Sequence, residues 1–330
     1  MTAGRRRRGG GDDAHYARSM RFSPLDIHCH GAVGSGFGAA AGGSREAAAH
    51  HHRRGVPGVV ASLVSATPEA TLAQVRVLGP LVADSTLVGV HLEGPFLSPS
   101  RAGAHDPRVL RDPDPTLIEQ VVEALAAAGA ADGLRQVTLA PELPGALDLI
   151  GVLAEHGVVP AFGHTAATAA QLRAAVEVAH DRCARAPIIT HLFNGMPAFH
   201  HRAPGPAAAA LAAAARGEAF VELIADGVHL APETVRMVFE VVGPQQVVLV
   251  SDATAATGMG DGRHRIGSLE VTVRGGVARL TTADGSPGPI AGSTVTLADC
   301  VTWAVQVAGV SRADAERAAG ETPRRALALS

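Results

Sequence analysis

The 330-residue sequence predicts an α/β protein folded as a (β/α)8 barrel. Eight short apolar runs read as strands, each followed by a helix-like segment or, after the last, by a longer insertion. Strands alternating with helices imply a parallel sheet, and eight units imply that it closes. The length suits one barrel better than two small domains. No Gly-x-Gly-x-x-Gly turn follows the first strand, which counts against a dinucleotide-binding sheet.

Composition narrows the functions. With 47% hydrophobic residues and a net charge of −3, nothing argues for nucleic acid or membrane as a partner. No apolar run is long and charge-free enough to span a bilayer. Every one of the 28 basic residues is arginine, so a carboxylated lysine cannot bridge two metals. The three cysteines, Cys29, Cys183 and Cys300, show neither zinc spacing nor a disulfide framework, which fits the cytoplasm. Residues 1–20 carry Arg5 to Arg8 and Gly9 to Gly11 without the apolar stretch of a signal peptide. They are expected as a disordered basic tail, with the barrel over residues 21–330.

The first strand is Leu25-Asp-Ile-His-Cys-His-Gly31, and His28 and His30 fall on one face of it. A helix is expected over Ser44 to Arg54, with Ser44 as N-cap and His50, His51 and His52 on a solvated face. Strands follow at Val59 to Ser65, Leu87 to Leu97, Val137 to Leu143, Val158 to His164, Pro187 to Leu192, Phe220 to Ala225 and Val247 to Ser251. Helices lie between them, at Pro68 to Asp84, Thr116 to Ala128, Gly145 to His156, Thr168 to Ala179, Pro206 to Arg216 and Pro232 to Val242. Gly94 and Pro95 stop the third strand just after Glu93, while His91, two residues deeper, suits a core role. Arg274-Gly275-Gly276 marks a hairpin inserted over residues 262–281. Helices over Thr294 to Ala308 and Ala313 to Ala319 complete the chain.

In such a barrel all C-terminal strand ends meet at one mouth. His28, His30, Glu93, His164, His191 and Asp252 arrive there, and His229 follows the seventh strand. Glu93, His164 and His191 make an open three-ligand set for a divalent metal that leaves room for water. Asp252 is then placed to handle that water's proton.

The order His-x-His, His, His, Asp resembles the amidohydrolase superfamily. Sharper resemblance lies in His91-Leu-Glu-Gly-Pro-Phe96, Ala102-Gly-Ala-His105, Gly163-His-Thr-Ala-Ala-Thr168 and Thr190-His-Leu-Phe-Asn-Gly-Met196. With Ala225-Asp-Gly-Val-His229, Ser251-Asp-Ala-Thr254 and Ala291-Gly-Ser293, these are similar to the N-acetylglucosamine-6-phosphate deacetylase family. The resemblance implies hydrolysis of an acetamide, with glucosamine 6-phosphate and acetate as products. It implies a primary metal, zinc with iron as the alternative, on Glu93, His164 and His191. It makes Asp252 the acid/base and gives His105 the acetamido carbonyl. A second metal has room at His28 and His30. Ala104, His105, Asn194, Gly195, Ile290, Ala291 and Gly292 would line the sugar pocket. Arg202 and His229 would hold the 6-phosphate, the arginine reaching across a homodimer interface. Family members begin with strands of a small β-sandwich to which their C-terminal segment returns. Fewer than about thirty residues precede His28, so that sandwich is expected to be truncated. Two other functions fit the same residues: another amidohydrolase acting on an N-acyl or cyclic amide, or a non-catalytic amino-sugar phosphate binder.

Overall fold

β1 (Leu25–Cys29) leads into a two-stranded ribbon, β2 (Gly31–Ala32) and β3 (Ser35–Gly36). The barrel continues with β4 (Gly58–Val64), β5 (Gly89–Glu93), β6 (Leu134–Leu139), β7 (Val159–Phe162), β8 (Ile188–Ile189), β9 (Phe220–Ile224) and β10 (Val247–Val250). The structure is a computed structural model and describes residues 23–183, 185–266, 269–282 and 286–329. The expected basic tail, residues 1–20, lies outside them. The eight barrel strands pair in parallel in sequence order. They are buried on both faces, which is why they read as nearly continuous Val, Ile and Leu.

The helices are α1 (Ala41–Arg53), α2 (Pro68–Ala83), α3 (Pro115–Ala127), α4 (Ala146–Glu155), α5 (Ala169–Cys183), α6 (Gly205–Ala215) and α7 (Pro232–Val242). Proline at the first turn and a side-chain cap start two of them: Thr67 Oγ1 accepts from Ala70 N in α2, and Asp114 Oδ1 from Thr116 N in α3. Outward strand residues such as Val221, Leu223 and Leu249 join the core beneath the helices. Phe220, Ile224, Val159, Val248, Leu25 and Ile27 pack together inside the barrel.

The ring closes just past the end of β10. Asp252 N donates to His28 O at 2.9 Å and His30 N to Ala253 O at 2.7 Å. Beneath these bonds Ser251 Oγ donates to the buried Asp26 Oδ2 at 2.5 Å, and Ser251 N to Oδ1 at 3.2 Å. β1 carries one extra residue relative to β4 between Asp26 and Cys29. This bulge brings His28 to the barrel interior directly after Ile27.

Beyond the mouth stands a four-stranded antiparallel sheet, β11 (Gly262–Ile266), β12 (Leu269–Arg274), β13 (Val277–Thr281) and β14 (Pro287–Ile290). The expected hairpin is two strands of it, and β14 runs directly into the pocket segment at Ala291. α8 (Leu297–Gln306) starts at a capping box between Thr296 and Asp299, three residues later than expected, because that reciprocal pair outcompetes the earlier hydroxyl of Thr294. α9 (Arg312–Ala319) is followed by a helix the sequence did not suggest, α10 (Glu321–Ala326). Ala326 and Leu327 plug the interior cluster. Pro323 is tolerated there because it lies in the first turn.

Two expectations at α1 are corrected. The helix starts three residues before Ser44, whose buried Oγ instead accepts from Gly38 N and donates to Ala40 O. His50, His51 and His52 do not form a solvated face. His51 is fully buried, with Nε2 at 3.2 Å from both Gly31 O and Cys29 Sγ, and burial lowers its pKa to about 4. The Ser251 hydroxyl supports the closure from beneath, so Ser251→Ala is expected to cost about 1–3 kcal/mol by leaving the buried Asp26 Oδ2 without this partner. Urea unfolding midpoints measure this; an unchanged midpoint would show that closure does not depend on the pair.

Candidate active site

The mouth is built from strand ends held in unusual backbone geometry. His164, His191 and Asp252 follow β7, β8 and β10 with φ of 45°, 27° and 49°. Non-glycine residues enter this region at an energetic cost, and such strain concentrates at functional sites. The turn after His191 presses on the fifth-strand ligand. A Cβ on Gly195, itself at φ 62°, would lie 2.9 Å from His164 Nδ1 and 3.2 Å from its Cα, so only glycine fits.

Glu93, at the end of β5, is the centre. Its Oε1 lies 3.1 Å from His164 Nε2 and 2.9 Å from His191 Nε2, and those two nitrogens are 3.1 Å apart. Its Oε2 lies 3.2 Å from both His30 Nε2 and His105 Nε2. His28 Nε2 is 3.2 Å from His30 Nε2, and Asp252 Oδ1 is 3.2 Å from His30 Nε2. All seven groups are buried.

Each ring's second nitrogen reveals how it is wired. His30 Nδ1 donates to Ser62 O at 3.1 Å and His164 Nδ1 to Arg101 O at 2.8 Å, since a carbonyl can only accept. Their Nε2 atoms therefore face the mouth as lone pairs when the rings are neutral. His105 is wired the opposite way. Its Nδ1 accepts from Ser65 N at 3.2 Å, so its Nε2–H is a donor at the mouth. Lone pairs and two carboxylates converging within hydrogen-bond distance need positive charge among them. A divalent cation fits that donor set, and Glu93–His164–His191 and His28–His30–Glu93 each place their ligand atoms within 4.8 Å of one another.

Electrostatics agree. Burial alone would push the Glu93 carboxyl up, but His105 and His28 outweigh it and hold it well below the usual range. Burial likewise opposes ionisation of Asp252, yet His30 and His28 hold it at about 2. His30 is pushed up to about 9, because Asp252 and Glu93 overcome its desolvation. Burial lowers the pKa of His105 against the pull of Glu93. Protons thus occupy part of the place a metal would take, and metal uptake must displace them.

A cavity of about 350 Å³ opens over the cluster. His30, Glu93, His105, His164, His191 and Asp252 form its floor, and Ala104, Asn194, Gly195 and His229 its wall. Ile290, Ala291 and Gly292 close the opposite side. His28 lies fully buried beneath the floor. Arg202 is the expected residue left outside: it is exposed, on the loop beside Phe199, and bonds His201 Nε2 at 2.9 Å. His229 is tied through Nδ1 to Asp226 Oδ2 at 2.7 Å, and Asp226 raises its pKa against the effect of burial. His91 sits below, bonded to Ser62 Oγ and Thr138 Oγ1, as the core role required.

The comparisons with known proteins decide the family. No family model matches the chain. N-acetylglucosamine-6-phosphate deacetylase from Mus musculus is 36% identical over 314 residues, covering 92% of this chain and 73% of that protein. A mutant N-acetyl-D-glucosamine-6-phosphate deacetylase from Mycobacterium smegmatis, in complex with N-acetyl-D-glucosamine-6-phosphate, superposes with a TM-score of 0.85 at 42% identity. That match covers 93% of this chain and 77% of the other. The chain belongs to the N-acetylglucosamine-6-phosphate deacetylase family. It is a hydrolase on the amidohydrolase barrel. The enzyme of Thermotoga maritima matches with a TM-score of 0.80 at 28% identity, over 93% of this chain and 80% of that one.

Three site residues escaped the reading of the sequence. Ser65 fixes the His105 tautomer through a backbone N–H, which no side chain signals. Arg279, on β13, lines the pocket from the inserted sheet, whose placement over the mouth no local pattern reveals. Glu222 did leave a signal, a carboxylate at the centre of the apolar strand Phe220-Val-Glu-Leu-Ile224. Alanine at Glu93, His164 or His191 is expected to remove one equivalent of bound metal, read by elemental analysis. Full stoichiometry in all three variants would show that the cation sits elsewhere.

Proposed function

We propose that this protein removes the acetyl group from N-acetylglucosamine 6-phosphate, giving glucosamine 6-phosphate and acetate. The observation that carries this reading is the opposed wiring of the mouth. When neutral, His30 and His164 present lone pairs, while His105 presents an Nε2–H donor to the same small volume. A divalent cation on Glu93, His164 and His191, zinc or iron, supplies Lewis acidity toward water and the acetyl oxygen. His105 Nε2–H donates to the carbonyl oxygen as negative charge develops on it. Asp252, ionised, takes a proton from the attacking water and returns it to the amine nitrogen as the C–N bond breaks. Ala104, Asn194, Gly195 and the Ile290–Gly292 segment enclose the sugar.

The phosphate is assigned to His229 and Arg202. Paired with Asp226, His229 remains a cation above the ordinary imidazole range and offers Nε2 to the pocket. Arg202 stands on an exposed loop with Phe199, which is 56% exposed. That arrangement supports a homodimer in which the partner subunit's Arg202 completes each pocket, a fixed guanidinium fork suited to phosphate. A cytoplasmic setting is supported by the three free cysteines. No helix among the described residues is long and apolar enough to cross a membrane.

The deciding assay compares turnover of N-acetylglucosamine 6-phosphate with that of N-acetylglucosamine. Arg202→Ala is expected to raise KM for the phosphorylated sugar about 10- to 100-fold, the value of a charge-assisted contact, and to leave the unphosphorylated one little changed. Equal kcat/KM for both sugars in the unmodified protein would refute the substrate and favour another amide. Asp252→Asn is expected to lower kcat by about 100-fold or more while metal content stays level. Near-normal kcat would remove Asp252 from the proton path, and absent turnover in the unmodified protein would favour a binding role.

A further inference from the structure

Glu222 is a carboxylate buried in the middle of a barrel strand that the reaction above does not use. Strand alternation aims it inward with Phe220 and Ile224. It is fully buried. Its Oε2 accepts from His28 Nδ1 at 2.9 Å and from the backbone N of His191 at 3.1 Å. Its Oε1 has no hydrogen-bond partner among the described residues. Burying a charge is costly, and barrel interiors are ordinarily filled with branched apolar side chains. A hydrophobic residue would fill this place more cheaply unless the carboxylate had a task.

We infer that Glu222 is a positioning residue that orients His28 and strengthens it as a metal donor, coupling the His28/His30 half-site to the His191 backbone. A ring donating Nδ1–H to a carboxylate has one orientation and one tautomer, with Nε2 facing the mouth as a lone pair. The negative partner also increases the basicity of that lone pair. His30 and His164 have only neutral carbonyls in the same position, at Ser62 and Arg101. Of the three rings His28, His30 and His164, His28 is the one with a carboxylate behind it. Because the same oxygen holds His191 N, a shift of Glu222 reaches both β1 and β8. The inference rests on reading this mouth as a metal-dependent site, but not on the identity of the substrate.

The test uses the full chain, stripped of metal and titrated with Co2+ without substrate. Bound metal is counted directly and the visible spectrum reports ligand geometry. Glu222→Leu is expected to weaken one class of site by about 10- to 100-fold, as for other partners behind ligating histidines, and to leave the other equivalent bound. Glu222→Gln keeps an acceptor oxygen without the charge and is expected to recover part of that loss. In a His28→Asn background the Glu222 substitutions should add little to the weakening of that class of site, since their effect on it passes through His28. Wild-type isotherms in both Glu222 variants would overturn the inference. So would equal weakening with and without His28, or a wild-type chain taking up a single equivalent indifferent to Glu222. Should the leucine variant fail to fold, the glutamine variant decides: a weaker site supports the role and an unchanged isotherm refutes it. Failure of the deacetylase assay with this metal behaviour intact would touch only the substrate.

Discussion

Everything at the mouth depends on one electrostatic constraint: imidazole lone pairs and two carboxylates are pressed into a space too small for them without a positive charge. Glu93 alone stands within 3.2 Å of four imidazole nitrogens. In water such a cluster would fly apart or pick up protons. Here the barrel prevents the first and the raised pKa of His30 shows the second. A divalent cation resolves the conflict with fixed geometry, so the protein's investment is in holding the ligands still. The positive φ at His164, His191 and Asp252 is part of that investment, tolerated because the sheet on one side and closely packed turns on the other leave no alternative.

Rigidity of this kind needs support from below. Under the mouth runs a layer of polar side chains rather than the usual apolar filling. Ser62 Oγ bonds His91 Nδ1, His91 Nε2 bonds Thr138 Oγ1, and Thr138 bonds Thr190, in steps of 2.8–2.9 Å. Burial and the neighbouring His28 keep His91 well below its ordinary pKa, so it serves as a neutral relay in this chain rather than a charge. Gln136 Nε2 ties in the β1 backbone at Ile27 O, next to the bulge. The hydrogen-bonded chain through Ser62, His91, Thr138 and Thr190 specifies one arrangement, whereas interchangeable apolar side chains would allow the strand ends to drift.

The fold and the floor of the site were legible in the sequence because both follow from strand periodicity. Apolar runs alternating with helices fix a parallel barrel, and a barrel sends each strand's last residue to the same end. His28, His30, Glu93, His164, His191 and Asp252 could therefore be assembled without coordinates. What escaped depends on contacts distant in sequence. His51 was misread because a helix's exposed face cannot be identified until its neighbours are known. Ser44 looked like a cap because its hydroxyl preceded the periodic stretch, while the Ala40-Ala-Gly-Gly start carries no capping signal. The hairpin was visible through Arg274-Gly-Gly276, but its partners lack a strand pattern: β11 is mostly polar and β14 is Pro-Gly-Pro-Ile. Arg202 was named from its motif and lies outside the pocket, since a single chain's pattern does not say whose pocket a loop serves.

In the proposed reaction the two acidic groups at the mouth divide the work, and their settings differ accordingly. Glu93 is engaged through both oxygens by four histidines and its side chain is 4% exposed. A carboxylate so committed can hold a cation but has no free oxygen from which to shuttle a proton. Asp252 approaches the cluster through Oδ1, toward His30 and more distantly His28, and its side chain is 11% exposed toward the cavity. It is attached to the same charge system yet reaches the space where substrate must sit. The backbone reinforces the difference. Glu93 is the last residue of a strand paired to β4 and β6, while Asp252 lies two residues past the end of its strand at positive φ. A ligand suits the first setting and a proton carrier the second, so the proposed division of roles rests on where each strand stops.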